Sequence, residues 1–124
     1  MNVVVSSAWL SYFAGDNNAK HFAKPIENLQ KLLVPGITLT EVFKCVLRQA
    51  SEDLALDCVA HMEQGNVIPL DSALAIEAAH LGVLHKLPLA DSIIYATAQR
   101  NQAVVWTQDS DFASLQDVRY FSKT

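Results

Sequence analysis

The chain has 124 residues, of which 51% are hydrophobic and 18% charged, and its formal net charge at pH 7 is −4. This size predicts one domain over residues 1–124 that needs no disulfide or structural metal, while the apolar content excludes a disordered polymer. No apolar run approaches the ~18 residues of a membrane span, and the acidic balance excludes binding of nucleic acid by bulk positive charge. With no signal peptide evident and only two cysteines, Cys45 and Cys58, we expect a cytoplasmic protein.

The N-terminal part of the chain predicts one strand and two helical segments. Residues 2–5 are rich in β-branched side chains, which is typical of a strand buried on both faces. Ser6 and Ser7 are predicted to cap a short helix that stops at the turn cluster 15–18. A second helical stretch is predicted to continue to about Leu33.

The middle of the chain predicts two strands separated by two helices. Pro35-Gly36 is predicted to break the preceding helix, and residues 37–39 form a brief second strand. Thr40 and Ser51 are predicted to cap the two helices that follow. Residues 67–70 predict a third strand, and the proline within it indicates an edge position.

The last part of the chain alternates helices and strands. Asp71 is predicted to cap a long helix, and residues 90–100 form the next one. Residues 103–107 are the strongest strand of the chain, a short helical turn follows at 110–115, and residues 118–121 form a fifth strand. Strands that alternate with helices predict an α/β fold with a parallel sheet covered on both faces.

Four carboxylates lie where such a sheet places its ligands, beyond the carboxyl ends of the strands. Glu41 and Asp91 stand at predicted helix starts, and Asp109 and Asp111 follow the strongest strand. A single acidic residue at a helix start needs no role beyond stabilising the helix dipole. Two acids in D-x-D spacing exceed that need, so we interpret the four as one cluster, whereas Asp71 is only a cap.

Carboxylates that converge repel each other, by about 1 kcal/mol at ~4 Å in water and by several times more in a desolvated cleft. A divalent cation would neutralise this repulsion, and oxygen ligands without histidine favour Mg²⁺ or Mn²⁺. Such a cation neutralises a phosphate and lowers the pKa of a bound water, which are the requirements of phosphodiester hydrolysis.

The order of four motifs resembles the PIN-domain family, and most of all its VapC-like ribonuclease toxins. The motifs are a hydrophobic strand with Ser-Ser-x-Trp-Leu, then Thr-x-Thr-Glu-Val, Leu-x-x-Ala-Asp-x-x-Ile-x-Ala-x-Ala and Thr-x-Asp-x-Asp-Phe. The likeness extends from Val3 to Phe121. It implies a three-layer α/β/α fold with a five-stranded parallel sheet and a magnesium-dependent endoribonuclease site. It also implies a homodimer and inhibition by a small antitoxin protein.

The resemblance assigns a role to each acidic residue. Glu41, Asp91 and Asp109 match three acidic residues of the family and are the implied metal ligands, with Glu41 acting through water. Asp111 matches a more variable fourth position. The departure is Val5, because the family has an aspartate there that binds the metal directly. An isopropyl group cannot coordinate a cation, so we expect weak metal binding and poor RNA cleavage.

Two explanations of Val5 stay open. The chain is either a silenced module kept for binding its antitoxin, or an inactivated form of an active toxin. A toxin selects against its own expression, and one nucleotide change converts an aspartate codon into a valine codon. The four remaining carboxylates favour the second explanation, because a long-silenced site has no reason to keep a repulsive cluster. A valine codon at this position in the source genome would exclude the second explanation.

Substrate and partner contacts are only weakly marked. Lys44 and Arg48 follow Glu41 by three and seven residues, so on a helix all three project to a similar side. Together with the Ser6 hydroxyl they are candidate RNA contacts, although a solvated helix face explains the two cations equally well. The second predicted helical stretch carries an apolar stripe of Phe22, Ile26, Leu29, Leu32 and Leu33. This stripe is either part of the core or part of a surface that binds a partner.

A phosphoacceptor receiver domain is the rival reading of a small, doubly wound domain with clustered acids. It requires an acidic pair after the first strand, where this chain has Val5-Ser6. It also requires an aspartate that ends the third strand, which Leu70-Asp71 imitates only loosely. The receiver interpretation is therefore disfavoured.

Overall fold

The computed structural model describes residues 1–123 and contains a parallel sheet with the strand order β3-β2-β1-β4-β5. The strands are β1 (Asn2–Val4), β2 (Leu32–Pro35), β3 (Asn66–Ile68), β4 (Val104–Thr107) and β5 (Val118–Tyr120). The α-helices are α1 (Ser6–Ala14), α2 (Ala19–Ile26), α3 (Gly36–Gln49), α4 (Glu52–Met62), α5 (Ser72–His85) and α6 (Leu89–Arg100). The predicted α/β/α fold with a five-stranded parallel sheet is confirmed.

The central strand β1 determines where a site forms. It pairs with β2 on one side, where Asn2 is opposite Leu32, and with β4 on the other, where Val4 is opposite Trp106. The chain leaves β1 toward β2 and β3 and later returns to β4 and β5. The carboxyl end of β1 is therefore the switch point at which doubly wound sheets bind their ligands.

The core lies against the central strands. Val3, Val4 and Val34 are fully buried, as are the large side chains Trp9 and Phe112. Trp9 is a core residue. Trp106 is only half-buried and donates its indole N–H to the Asn2 side chain over 2.9 Å.

The predicted boundaries of the second strand are wrong. β2 is formed by Leu32–Pro35, and residues 37–39 lie in the first turn of α3. Leu32 and Leu33 suggested a helix because leucine is a good helix former, and the β-branched Ile37 and Thr38 suggested a strand. The Thr38 hydroxyl donates to the carbonyl oxygen of Pro35 over 2.7 Å, so this polar group is satisfied inside the helix.

The apolar stripe predicted on a second helix is core and not one helical face. Phe22 and Ile26 are buried in α2, whereas Leu32 and Leu33 are buried in β2. Leu29, in a 3-10 turn before β2, is 40% exposed. The stripe therefore provides no continuous surface for a partner.

The predicted helix caps are partly correct. Ser51 and Asp71 accept hydrogen bonds from the N–H groups of Leu54 and Leu74, as expected of N-caps. Ser6 and Ser7 are not caps, because α1 begins at Ser6. Thr40 is likewise inside α3, which begins five residues earlier than predicted. Among residues 1–123, no helix combines the length and apolar character that crossing a membrane requires.

Candidate metal centre

Three of the predicted carboxylates meet at one point. Asp91, Asp109 and Asp111 each offer an oxygen atom, and these oxygens all lie within 4.8 Å of one another. In octahedral Mg²⁺ coordination at ~2.1 Å, neighbouring oxygens are ~3 Å apart and opposite oxygens ~4.2 Å apart, so side-chain movements of up to about 1 Å would let one ion bind all three. The donor set therefore fits a hard divalent cation.

The local backbone explains why these side chains converge. Asp91 lies in the first turn of α6, which follows Pro88. Asp109 follows β4 and caps a 3-10 turn (Ser110–Phe112), where its Oδ1 accepts the N–H of Asp111 over 2.9 Å. The N–H of Asp109 donates in turn to the hydroxyl of Thr107 over 2.9 Å. The D-x-D segment is thus held by its own side chains.

The electrostatics of the cluster centre on Asp91. Burial, together with the negative charges of Asp109, Glu41 and Asp111, raises the pKa of Asp91 from 3.8 to about 7. Burial has the largest effect on this pKa, and among the three charges that of Asp109 has the largest effect. A positive ion at this position would relieve both the desolvation and the repulsion.

Glu41 approaches the cluster from another element. It lies in α3 and accepts a hydrogen bond from the hydroxyl of Ser6, with 2.5 Å between the two oxygens. Glu41 is not among the carboxylates within 4.8 Å of each other, but its charge contributes to the raised pKa of Asp91. It therefore faces the same cleft from a greater distance.

Val5 lies at the switch point between these groups. It follows the last residue of β1, is only 3% exposed, and donates its N–H to the carbonyl oxygen of Trp106 over 3.2 Å. It also immediately precedes Ser6, which contacts Glu41. A side chain at this position is thus between the elements that carry Glu41 and Asp109, and in this chain it is apolar.

A buried amide pair, for which the sequence carries no signal, joins the two sides of the cleft. Gln108 precedes Asp109 and donates its side-chain N–H to the carbonyl oxygen of Ser7 over 3.2 Å. Its Oε1 accepts from the side chain of Asn18 over 2.9 Å. The two amides are 90 residues apart in sequence, so no local pattern could reveal the pair.

The candidate RNA contacts are placed differently from one another. Ser6 is part of the site, through its bond to Glu41. Lys44 and Arg48 are exposed on α3, and Lys44 borders a separate, mainly apolar hollow with Leu39 and Phe43. Of the predicted residues, the structure therefore brings Asp91, Asp109 and Asp111 together. Glu41 and Ser6 face them from a greater distance, and the two cations lie further along the helix.

The comparison with protein families decides the assignment, since the profile of the PIN domain matches residues 3–118. The chain belongs to the PIN-domain family. This match covers nearly all of the chain, including all four acidic residues and the whole of strands β2, β3 and β4. Comparison with curated protein sequences gave no match.

Solved structures share the PIN fold along the whole chain. A toxin–antitoxin complex from Klebsiella pneumoniae contains a similar chain, with a TM-score of 0.82, 22% identity, and 99% of this chain and 100% of that chain covered. The VapC20 toxin of Mycobacterium tuberculosis, described as cleaving the sarcin-ricin loop, has a TM-score of 0.78 at 17% identity, covering 95% and 97% of the two chains. DNA-bound VapBC from Salmonella typhimurium has a TM-score of 0.75 at 15% identity, covering 98% and 96%.

Proposed function

We propose that this PIN domain is the magnesium-dependent endoribonuclease toxin of a toxin–antitoxin pair, and that Val5 disables it in this chain. The convergence of Asp91, Asp109 and Asp111 at the switch point carries the proposal. The names of the structural neighbours support it, because they describe toxins and toxin–antitoxin complexes.

In this proposal each acidic side chain has its own role in binding the metal ion. Asp91 and Asp109 bind the ion directly, and Asp111 is close enough to join them. Glu41 is oriented by the Ser6 hydroxyl and acts through a water molecule. The bound Mg²⁺, or Mn²⁺ in its place, would neutralise a phosphate oxygen and lower the pKa of a water, which supports hydrolysis of an RNA phosphodiester to 5′-phosphate and 3′-hydroxyl ends.

Val5 removes one carboxylate from the centre of this set. Its buried isopropyl group can neither bind a cation nor add negative charge. The second candidate function follows from the same observation: a catalytically silent PIN module that binds an antitoxin without cutting RNA.

Two protein partners belong to the proposal. One is a small antitoxin, as in the complexes with which the chain shares its fold. The other is a second copy of this chain. Helix α5 supports the homodimer, because Ile76, Val83 and Leu84 lie on its exposed side, and Val83 is 83% exposed. Apolar patches of this kind mark interaction sites.

RNA phosphates are contacted by Lys44 and Arg48 in this proposal. Both cations are exposed on the helix that carries Glu41. Ser6 supplies a hydroxyl beside the cluster.

The experiment is to restore the carboxylate with Val5→Asp and to assay RNA cleavage with Mg²⁺ and with a chelator. We expect chelator-sensitive cleavage by Val5→Asp and little or none by the Val5 chain. Val5→Asn is the matched control, because it has the size of aspartate without its charge. Negligible cleavage by all three variants would favour the silent module, whereas strong cleavage by the Val5 chain would contradict its disablement.

A further inference from the structure

A polar groove begins at the acidic cluster and follows the end of the sheet. Its first cavity, of about 380 Å³, contains Asp109 in its wall and is bordered by Tyr120 and Lys123 from the last strand and the segment after it. A volume of this order is typical of ligand pockets. The groove therefore leads directly away from the proposed metal ligands.

A second cavity lies beside the first. It has a volume of about 400 Å³ and shares Ser122 as a wall with the first. Lys20, His21 and Phe121 border it on the far side. The two cavities lie on either side of Ser122, so a strand that follows both would pass from Asp109 over the C-terminal segment to the start of α2. We call this path the track.

Hydrogen bonds fix the wall that separates the two cavities. The side-chain amide of Asn18 donates to the carbonyl oxygen of Ser122 over 3.2 Å and to Gln108 over 2.9 Å. The N–H of Phe121 donates to the carbonyl oxygen of Thr107 over 2.9 Å. The C-terminal segment is thus tied to the loop that carries Asp109, and a preformed track lowers the entropy cost of binding.

The charges along the track suit a phosphate backbone. Lys123 is exposed and borders the same cavity as Asp109, and Lys20 is exposed at the border of the second cavity. Neither lysine forms an ion pair with a residue in the range 1–123. Although the chain has a net charge of −4, these two lysines give the track a local positive charge that attracts a polyanion.

Flat side chains along the track suit unpaired bases. Tyr120 is 38% exposed at the end of β5. His21 and Phe121 already stack on each other, with ring centroids 4.3 Å apart and planes 10° from parallel, so the Tyr120 ring is the aromatic face offered to a base. Proteins bind single strands through such a combination of aromatic faces and cations along a groove.

We propose that this groove is the track for the single-stranded RNA substrate, with Tyr120 stacking on a base and Lys123 contacting a phosphate next to the scissile bond. The inference rests on the proposed ribonuclease function, and it adds contacts on β5 and the C-terminal segment to those of Lys44 and Arg48 on α3.

The Val5 chain is a suitable protein for the binding test because we expect it to bind RNA without cutting it. The probe is a short, fluorescein-labelled, single-stranded RNA of mixed sequence, titrated in Mg²⁺ buffer at several salt concentrations. Tyr120→Ala should weaken binding about tenfold through lost stacking, and Tyr120→Phe should bind like the unmodified chain. Lys123→Gln should weaken binding and reduce the slope of log K against log salt by about 0.7, the loss of one phosphate contact.

Lys31→Gln is the matched control, because Lys31 is exposed in the 3-10 turn before β2, at the opposite end of the strands. Lys31→Gln should bind RNA like the unmodified chain. All variants should have the circular dichroism spectrum of the unmodified chain. Equal losses in Lys31→Gln and Lys123→Gln would overturn the proposal, because binding would then be diffuse charge attraction.

The same substitutions in the Val5→Asp background separate the two proposals. A raised KM with unchanged kcat in Tyr120→Ala and Lys123→Gln supports the track. Unchanged KM in an active enzyme overturns the track and leaves the ribonuclease function standing. If Val5→Asp is inactive, the ribonuclease function fails, while selective loss of RNA binding in Tyr120→Ala and Lys123→Gln still supports the groove as an RNA site.

Discussion

The side-chain N–H of Gln108 donates to the carbonyl oxygen of Ser7 over 3.2 Å and so ties the loop after β4 to the start of α1. Each partner of this bond is next to a residue of the candidate site. Ser7 follows Ser6, which holds Glu41, and Gln108 precedes Asp109. This buried amide therefore adds to the β1–β4 pairing in fixing the spacing between the two sides of the cleft.

Gln108→Leu should lower both stability and metal affinity. It removes the hydrogen bond from Gln108 to the Ser7 carbonyl and the one from Asn18 to Gln108, and the loss of these two buried bonds costs about 1–3 kcal/mol. For a chain of this length we expect a fall in Tm of roughly 4–10 °C, measured by circular dichroism. Mn²⁺ titration of the Val5→Asp protein should show weaker binding when Gln108→Leu is added.

Gln64→Leu is the control for this prediction, because Gln64 is exposed after α4 and away from the cleft. It should change neither Tm nor Mn²⁺ affinity. An unaltered Mn²⁺ affinity in Gln108→Leu would show that the amide bridge does not position the ligands.

Asp91→Asn should stabilise the metal-free protein above neutral pH. The pKa of Asp91 is raised to about 7 in the folded chain, so its ionisation opposes folding and stability falls as pH rises from about 4 to 7. Asparagine removes that penalty, which we expect to be about 1–2 kcal/mol after allowance for solvent screening of this partly exposed group. Thermal unfolding in chelator should show a higher Tm for Asp91→Asn at about pH 8 and a smaller difference at about pH 5. A difference that grows toward low pH would contradict the raised pKa of Asp91.

The sequence predicted the acidic cluster well, but it predicted poorly the helix and strand boundaries that depend on packing in the core. Glu41, Asp91, Asp109 and Asp111 were predictable because parallel strands end at one edge of the sheet. The β2–α3 boundary was not, because Leu32 and Leu33 favour helix locally and only the sheet's interior makes them a strand. The contact between Asn18 and Gln108 joins residues 90 positions apart, and no spacing rule describes it.

Added Mg²⁺ should stabilise Val5→Asp more than the Val5 chain. Without metal, a further buried carboxylate near the cluster should lower the Tm of Val5→Asp. A ligand that binds only the folded state at 100 times its Kd adds about 2.7 kcal/mol, so saturating Mg²⁺ should more than restore that loss. Val5→Asn should gain no more from Mg²⁺ than the Val5 chain. Equal Mg²⁺ shifts in all three proteins would contradict a ligand role for position 5.

Val83→Glu should dissociate the proposed homodimer. Val83 is on the exposed apolar side of α5, and a stable interface of about 800 Å² per partner would bury it beside Ile76 and Leu84. A buried, unpaired carboxylate would disfavour association strongly. Light scattering coupled to gel filtration should give a dimer mass for the unmodified chain and a monomer mass for Val83→Glu. Ala60→Glu, at an exposed position of α4, is the control and should remain a dimer. A monomer mass for the unmodified chain would refute the proposed homodimer.

The central claim is that Asp91, Asp109 and Asp111 form a cation site which Val5 leaves incomplete. Crystals of Val5→Asp grown with Mn²⁺ test it most directly through the anomalous scattering of the metal. We predict a strong anomalous peak coordinated by Asp91, Asp109 and the new aspartate, with a weaker peak or none in crystals of the Val5 chain. A peak elsewhere on the molecule, or none among these carboxylates in Val5→Asp, would contradict the claim.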